Sequence, residues 1–273
     1  TQLPKNSQNF SWSSQKKTGF ADTTRPSQMP KKAKSYLKSI MKTKKTSMIV
    51  TSKIVTYIQE RQEQKRQYYI YNSIPLMLKD FPSSEQVNIK AIIRFLEANI
   101  PSHLFHGVDA VYVGEFPGLE NRNAVFADGA IYCRNDEPTN YDYLENIVHE
   151  VAHSLMERVW PYLNSDDRVK KEFLGKRERL RMILNSEGYK FPKKYYLNME
   201  YSTAFDEFLA QIVGYPTLLT LTMGLFVSPY GATSLEEYFA NAFENFYLED
   251  PSDIKKISPA LYDLIVQLHK EEE

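Results

Sequence analysis

Apolar residues recur at three- and four-residue spacing through much of the chain beyond residue 83, which is typical of amphipathic helices. The clearest instance runs from Tyr141 to Arg158, where Thr139 or Asp142 can cap the first turn. Five apolar positions of this stretch share one helical face: Leu144, Ile147, Val148, Val151 and Leu155. We therefore predict a helix over 141–158 that buries one face.

The same spacing predicts five further helices. They cover residues 84–99, 166–184, 203–213, 234–250 and 259–270, and Pro251 ends the fourth of them. The helix at 166–184 is rich in charged residues, so we expect it to be mostly solvated. The pair Asp206-Glu207 is expected to be exposed, and Trp160-Pro161 predicts a break after the helix at 141–158.

Short runs of β-branched and aromatic residues predict a small sheet. Residues 110–113 form one predicted strand, and residues 124–133 a hairpin whose turn, Asp128-Gly129, is typical of type I′. A strand pair is predicted around Glu60–Arg66, followed by a connection over residues 75–81. Together the elements predict an α+β fold, with a small twisted sheet and a helical C-terminal half.

The predicted helix at 141–158 carries the sequence His149-Glu150-Val151-Ala152-His153. At about 100° per residue, the two histidines lie one turn apart beside the apolar face, and Glu150 projects in another direction. Two imidazoles so placed can bind one metal ion, with the carboxylate beside a water that the metal binds. The alternative is two surface histidines, but their position next to a buried face favours a metal site.

A catalytic zinc needs one more protein ligand, because such sites use three protein ligands and a water. Among the acids further along the chain, Glu207 and Glu237 both lie on predicted helices. Glu237 also follows Ser234 at the spacing of a capping box, which would explain it without a metal. The pair His103 and His106 lies near a predicted turn and is interpreted as structural. Spacing alone leaves the third ligand open.

Composition narrows the classes of protein to which the chain can belong. Hydrophobic residues make up 42% and charged residues 25% of its 273 residues, which is ordinary for a globular protein. No apolar run approaches the length of a membrane-spanning helix, so we expect no membrane partner. The single cysteine, Cys133, excludes an internal disulfide.

The neutral net charge conceals an asymmetry. Residues 1–46 carry eleven Lys and Arg and one acid, Asp22, so their formal charge is +10 and that of the remaining residues is −10. The segment also has few aliphatic residues, so it cannot bury enough surface to fold alone. We therefore predict a basic extended arm over 1–46, held by an acidic partner, another subunit or its own domain, and a folded domain over 47–273. Nucleic acid is the least favoured partner, because no folded nucleic-acid-binding motif accompanies the arm.

Two stretches resemble a known family. Besides the motif at 149–153, the residues from Tyr230 to Phe243 read YGATSLEEYFANAF. Together they resemble the zincin metallopeptidase domain of the anthrax lethal factor and Pro-Pro endopeptidase family, over residues 85–270. More loosely, the stretch is similar to zincin-like proteins of tailed bacteriophages. The resemblance implies Zn²⁺ held by His149, His153 and Glu237, Glu150 as the general base, and Tyr230 as the hydroxyl that faces the scissile carbonyl.

Two features depart from the family pattern. Asn241 stands where the family usually has an acid, so the groups that support the metal ligands are expected to differ. The long interval between His153 and Glu237 implies an insertion around residues 165–220. In zinc peptidases an edge strand of the sheet pairs with the substrate backbone. Ala130–Tyr132 is the strand that we predict for this role, and an ordinary sheet strand is the alternative.

The resemblance implies a zinc-dependent endopeptidase of the HExxH-plus-Glu (gluzincin) type, acting on a protein or peptide substrate. The alternative is a structural or adaptor protein with the same zincin-like fold, anchored through residues 1–46 in a larger assembly such as a phage particle. Retention of Glu150 and Tyr230 favours catalysis, because a structural role needs neither residue. These features favour a secreted protein or a component of a viral particle over a plain cytoplasmic protein.

Overall fold

The computed structural model of the chain describes residues 66–165 and 167–271. The predicted arm over 1–46, the boundary at residue 47 and nearly all of the strand pair predicted around residues 60–66 lie outside the described residues. Within them the chain is α+β, as predicted, with one small sheet and many helices. No helix in the described ranges combines the length and apolarity needed to cross a membrane.

Five strands form one mixed sheet: β1 (Gln67–Ile70), β2 (Ile74–Leu78), β3 (Ala110–Val113), β4 (Ala124–Ala127) and β5 (Ala130–Cys133). Their spatial order is β1-β2-β3-β5-β4. The three central strands are parallel, and β1 and β4 are antiparallel edge strands. Because side chains alternate between faces, Leu76, Val111 and Ile131 stand side by side in register, and all three are fully buried.

The predicted strand at 110–113 and the hairpin at 124–133 are confirmed. Asp128 and Gly129 have φ angles of 50° and 77°, as a type I′ turn requires. The prediction that Ala130–Tyr132 is the edge strand is wrong, because β5 lies between β3 and β4 and the edge strand is β4. The hairpin pattern identifies two paired strands, but it does not say which of them also pairs with β3.

The region before the first helix differs from its prediction. Residues 74–78 are the strand β2, although the sequence predicted a connection from Pro75. The turn before β2 is made by Tyr71 and Asn72, which have φ angles of 51° and 56°. Pro75 is compatible with the strand because the parallel pairing with β3 begins only at Leu76.

Ten α-helices follow from the described residues: α1 (Ile89–Asn99), α2 (Asn140–Ser154), α3 (Met156–Ser165), α4 (Asp167–Ser186), α5 (Lys193–Leu197), α6 (Thr203–Glu207), α7 (Tyr215–Leu221), α8 (Leu235–Leu248), α9 (Pro251–Ile257) and α10 (Pro259–Lys270). Short 3₁₀ turns cover Ser102–Phe105 and Tyr230–Ala232, and a π-helix covers Phe208–Gly214. The predicted helix at 259–270 is confirmed at both ends.

Other helix boundaries move for local reasons. Helix α1 begins at Ile89 rather than at residue 84, because the side chain of Asn88 accepts a hydrogen bond of 3.1 Å from the Ala91 N–H. The helix predicted over 141–158 ends at Ser154, and Pro161 lies inside α3 instead of breaking it. Pro161 and Glu157 are both exposed, so water can bond the Glu157 carbonyl that the proline leaves without a helical donor.

The prediction that the helix at 166–184 is mostly solvated is wrong. Helix α4 has a buried face, and two of its charged residues are part of it: Lys176 is 7% exposed and Arg177 is 1% exposed. The Lys176 Nζ donates hydrogen bonds of 2.6 Å to the carbonyls of Leu225 and Ile257. The charged residues alone suggested a solvated helix, whereas Lys176 bonds the carbonyls of a turn residue and of the last residue of α9, which would otherwise lack a donor.

Helix α8 packs across α2 and fills the centre of the core. Phe239 and Phe243 on α8 are fully buried, as are Val148 and Val151 on α2. The predicted helix start at Ser234 is confirmed, since the Ser234 hydroxyl accepts a hydrogen bond of 3.1 Å from the Glu237 N–H. This contact between the two helices brings the histidine motif and the C-terminal stretch together.

Two similar side chains on α4 allow a test of its buried face. Leu180 is fully buried and Met182 is 53% exposed. We expect Leu180→Ala to lower the free energy of unfolding by about 2–5 kcal/mol, because it removes buried methyl groups and leaves a cavity. Met182→Ala should change it by no more than about 0.5 kcal/mol. Urea unfolding of both variants measures the difference, and equal effects would contradict the packing of α4.

Candidate metal centre

The two histidines of the motif are presented by a well-capped helix. Thr139 and Asp142 form a reciprocal capping box at the start of α2: the Thr139 N–H donates to Asp142 at 2.9 Å, and the Asp142 N–H donates to Thr139 at 3.3 Å. Farther along the helix His149 and His153 lie one turn apart on the same flank. Their Nε2 atoms are 3.2 Å from each other.

Helix α8 delivers Glu237 to the same point. Its carboxylate is fully buried, with Oε2 lying 3.3 Å from Nε2 of His149 and Oε1 lying 3.7 Å from Nε2 of His153. One ligand atom from each of the three residues lies within 4.8 Å of the other two. Ligand atoms around a tetrahedral zinc are separated by about 3.3 Å, given zinc–ligand bonds of about 2.0–2.1 Å. The three residues therefore fit a metal ion of this size and ligand preference.

Only one of the two hydrogen bonds of a capping box is seen between Ser234 and Glu237. Ser234 caps α8 by accepting a hydrogen bond from the Glu237 backbone, but the Glu237 side chain points towards the histidines. Glu207, the other acid that the sequence left open as a ligand, is exposed at the end of α6 and is not part of this group. The structure therefore places Glu237, and not Glu207, beside both histidines.

A carboxylate supports each histidine from behind. Nδ1 of His149 lies 3.0 Å from Oε2 of Glu244, and Nδ1 of His153 lies 3.0 Å from Oε1 of Glu236. An ionised carboxylate can only accept, so the Nδ1–H of each ring donates to it. This arrangement directs both Nε2 atoms towards the shared point and makes them better ligands.

The charges of the site attract a cation. Burial lowers the pKa of His149, but its hydrogen bonds to Glu237 and Glu244 outweigh this effect and raise the value to about 10. Burial likewise raises the pKa of Glu237, but the hydrogen bond from His149 and the charges around it bring the value down to about 2. Both shifts indicate that a positive charge is favoured at this point, and a metal ion that binds here would displace the proton from His149.

Glu150 belongs to the site but not to the ligand group. The residue is 3% exposed, and its Oε2 accepts a hydrogen bond of 2.7 Å from the backbone N–H of Phe126 on the edge strand β4. The carboxylate of the motif is thus anchored to the sheet while the two histidines turn towards α8. This separation agrees with the different directions expected from helical geometry.

Tyr230 lies in the short 3₁₀ turn before α8, and this turn is held from two sides. The Arg177 Nη1 donates a hydrogen bond of 2.5 Å to the Ala232 carbonyl, and Asn241 bonds the hydroxyl of Ser228. Burial raises the pKa of the Tyr230 phenol far above its usual range, and the charge of Glu237 adds to the effect. Tyr230 therefore stays protonated.

The position of Asn241 explains how the site manages without an acid there. Its Nδ2 donates to the Glu237 carbonyl at 2.8 Å, so it supports α8 and the Tyr230 turn rather than a histidine. Glu236 and Glu244 take the supporting role, and sequence reasoning missed both. Glu244 could have been found, because it follows Glu237 by seven residues and so shares its helical face. His103, interpreted as structural, bonds the Leu268 carbonyl at 2.8 Å through Nε2.

Comparison of the chain with protein-family models, with curated proteins and with solved structures gave no significant match. The resemblance to zincin metallopeptidases therefore rests on the motifs in the sequence.

The sequence left Glu207 and Glu237 open as the third ligand, and zinc binding by variants of each residue tells them apart. We expect the purified protein to bind roughly one zinc ion per chain, and His153→Ala and Glu237→Gln to lose it during dialysis against a weak chelator. Glu207→Gln is the matched control and should keep its zinc, because this side chain is exposed and remote from the histidines. Elemental analysis gives the ratio, and unchanged zinc in Glu237→Gln would exclude this ligand set.

Removing the charge of Glu244 should weaken zinc binding without abolishing it. Glu244→Gln should weaken zinc binding about 10- to 100-fold, because the Nδ1–H of His149 would lose a charged acceptor. Glu249→Gln, at the end of the same helix and bonded to Tyr141, should bind zinc as the wild type does. Competition with a fluorescent chelator measures both affinities, and equal values would show that Glu244 does not support the site.

Proposed function

We propose that the chain is a zinc-dependent endopeptidase with a zincin-like fold. One observation carries the proposal: His149, His153 and Glu237 converge on a single point, and the motif carboxylate Glu150 stays outside this group. A site built only to hold a metal needs the three ligands alone. A site that hydrolyses peptide bonds needs a base beside them as well.

His149, His153 and Glu237 would hold the zinc. When bound in such a site, zinc supplies Lewis-acid chemistry, making water acidic near neutral pH and polarising a carbonyl group. Glu150 takes the proton of the attacking water and passes it to the nitrogen of the leaving amine. One oxygen of Glu150 already accepts a hydrogen bond from the Phe126 N–H, which fixes the orientation of the carboxylate relative to the sheet. The other oxygen is left to act as the base.

The edge strand β4 supplies a surface for the substrate backbone. Val125 and Ala127 pair with β5, so the backbone groups of Ala124 and Phe126 point away from the sheet. The Phe126 N–H is used by Glu150, which leaves the Phe126 carbonyl and the Ala124 groups to pair with an extended peptide. A substrate bound there would lie directly beside the general base.

Tyr230 is the residue that we assign to the oxyanion. Its raised pKa keeps the phenol protonated, so the hydroxyl can donate a hydrogen bond to the oxygen that becomes negative during the attack. Arg177 and Asn241 hold the turn that carries it, and the buried carbonyl of Ala232 is satisfied by that contact. The backbone that carries this donor is thereby held in place before the substrate arrives.

Because Glu150 is proposed as the base and not as a ligand, replacing it should lower the activity without changing the metal content. Glu150→Gln should keep its zinc but lose about 10²- to 10⁴-fold in peptide hydrolysis, because the amide cannot accept the proton. Glu157→Gln, an exposed carboxylate on the following helix, should keep both properties. Mass spectrometry of a diverse peptide mixture incubated with each zinc-loaded variant measures the cleavage.

Two outcomes would contradict the proposal. Loss of zinc together with activity in Glu150→Gln would make Glu150 a ligand or a structural anchor. If the zinc-loaded wild type cleaves no peptide in the mixture, the alternative of a structural or adaptor protein with this fold is favoured.

A further inference from the structure

Two tyrosines bond one carboxylate, and one of them packs against a third tyrosine, Tyr230. The hydroxyl of Tyr201 donates to Oδ2 of Asp206 and that of Tyr215 donates to Oδ1, both at 2.7 Å. The ring of Tyr215 packs edge-on against that of Tyr230, with 6.2 Å between ring centroids. We call these four residues the tyrosine cluster. Tyr201, Asp206 and Tyr215 lie within the segment around residues 165–220 that the sequence predicted to be an insertion relative to the family, and Tyr230 lies beyond it.

An irregular helix brings the cluster together. Asp206 lies near the end of α6, and the π-helix Phe208–Gly214 separates it from Tyr215 at the start of α7. The wider turns of a π-helix and the positive φ angle of 85° at Gly214 change the direction of the chain between the two residues. Segments of π-helix are costly and occur often at functional sites. The sequence predicted an ordinary helix over 203–213 with Asp206 exposed, whereas Asp206 is half-buried.

The cluster adjoins the residue that we assign to the oxyanion, because the ring of Tyr215 packs against Tyr230 in the turn before α8. Burial is the main cause that raises the pKa values of Tyr201 and Tyr215, and the charge of Glu237 contributes to both. The positive charge of Arg122, a residue just before β4, lowers the pKa of Tyr201 but does not outweigh these causes. A peptide whose scissile carbonyl faces Tyr230 would therefore place one of its side chains near Tyr215 and Asp206.

The chemistry of the cluster is suited to a cation. Each Asp206 oxygen accepts one phenol hydrogen, and a carboxylate oxygen has a second lone pair to offer. Within the described residues no Lys, Arg or His forms an ion pair with Asp206, whose partners are the two phenols. The faces of the neighbouring aromatic rings also attract cations. A half-buried carboxylate that phenols hold in place can thus receive an ammonium or guanidinium group.

We propose that Tyr201, Asp206 and Tyr215 form a specificity subsite that receives a Lys or Arg side chain of the peptide. The proposal rests on the proposed function, since it requires a peptide bound beside the metal centre. Asp206 is the residue that selects the charge, and the two tyrosines orient its carboxylate. An acidic side chain at the same position would be repelled.

Binding without cleavage tests the subsite directly. The zinc-loaded Glu150→Gln variant is mixed with randomised, end-blocked peptide pools that carry either lysine or the uncharged norleucine at one fixed position. We expect it to prefer lysine at one position by about 10- to 100-fold, the range expected for a hydrogen-bonded charge pair. Adding Asp206→Asn should abolish that preference while the zinc content stays the same.

Glu207→Gln provides the matched control, because it removes the same charge from the adjacent, exposed residue. It should leave the preference for lysine intact. If Asp206→Asn does not fold, Tyr201→Phe and Tyr215→Phe replace it, and each should reduce the preference by releasing the carboxylate. An unchanged preference in these variants, or no preference for lysine at any position, would overturn the proposal.

The two proposals can fail separately. A chain that binds lysine peptides through Asp206 but cleaves none would refute the endopeptidase and retain the subsite. A wild type that cleaves peptides without preferring Lys or Arg at any position would refute the subsite and retain the endopeptidase.

Discussion

The packing of α8 across α2 is the interaction on which the rest of the described structure depends. It places a fully buried carboxylate, Glu237, in the middle of an apolar core, where an uncompensated charge would be strongly destabilising. His149 and His153 offset that cost from the facing helix, and buried aromatic side chains such as Phe239 and Phe243 hold the two helices together. The geometry of the site is thus a consequence of the same contact that forms the core.

One helix supplies both the acid that lies beside the two histidines and the carboxylates that bond their Nδ1 atoms. Glu237 and Glu244 lie two turns apart on the same face of α8, and Glu236 reaches the second histidine from the adjacent direction. Three carboxylates on one helix repel one another unless cations lie between them. The two imidazoles lie between them, and a metal ion at the same point would satisfy that requirement. Because Glu236 and Glu244 already bond the two histidines, no acid is needed at the position of Asn241.

The segment between the histidine motif and Glu237 has a structural and a chemical part. Helix α4 brings Lys176 and Arg177 into the core, where they bond backbone carbonyls, and Arg177 thereby holds the turn that carries Tyr230. The segment from Tyr201 to Tyr215 adds phenols and a carboxylate beside the site. Both parts act through polar groups in partly or fully buried surroundings, where hydrogen bonds and charges are stronger than in water.

The sequence by itself determined what depends on near neighbours along the chain. Periodicity identified α2, α8 and α10, the Asp128-Gly129 turn predicted the hairpin, and the spacing of His149 and His153 placed them on one helical flank. Helix and turn formation are governed by contacts a few residues apart, so these features are legible in the sequence.

Only the tertiary structure decided what depends on distant partners. The order of strands made β4 the edge, and the contact between α2 and α8 selected Glu237 over Glu207 as the acid beside the histidines. The burial of Lys176 and Arg177 could not be predicted from the sequence either. A cationic side chain is expected to be solvated unless the carbonyl groups that accept its hydrogen bonds are known. A sequence specifies such pairings through long-range packing, and no local pattern records which surfaces meet.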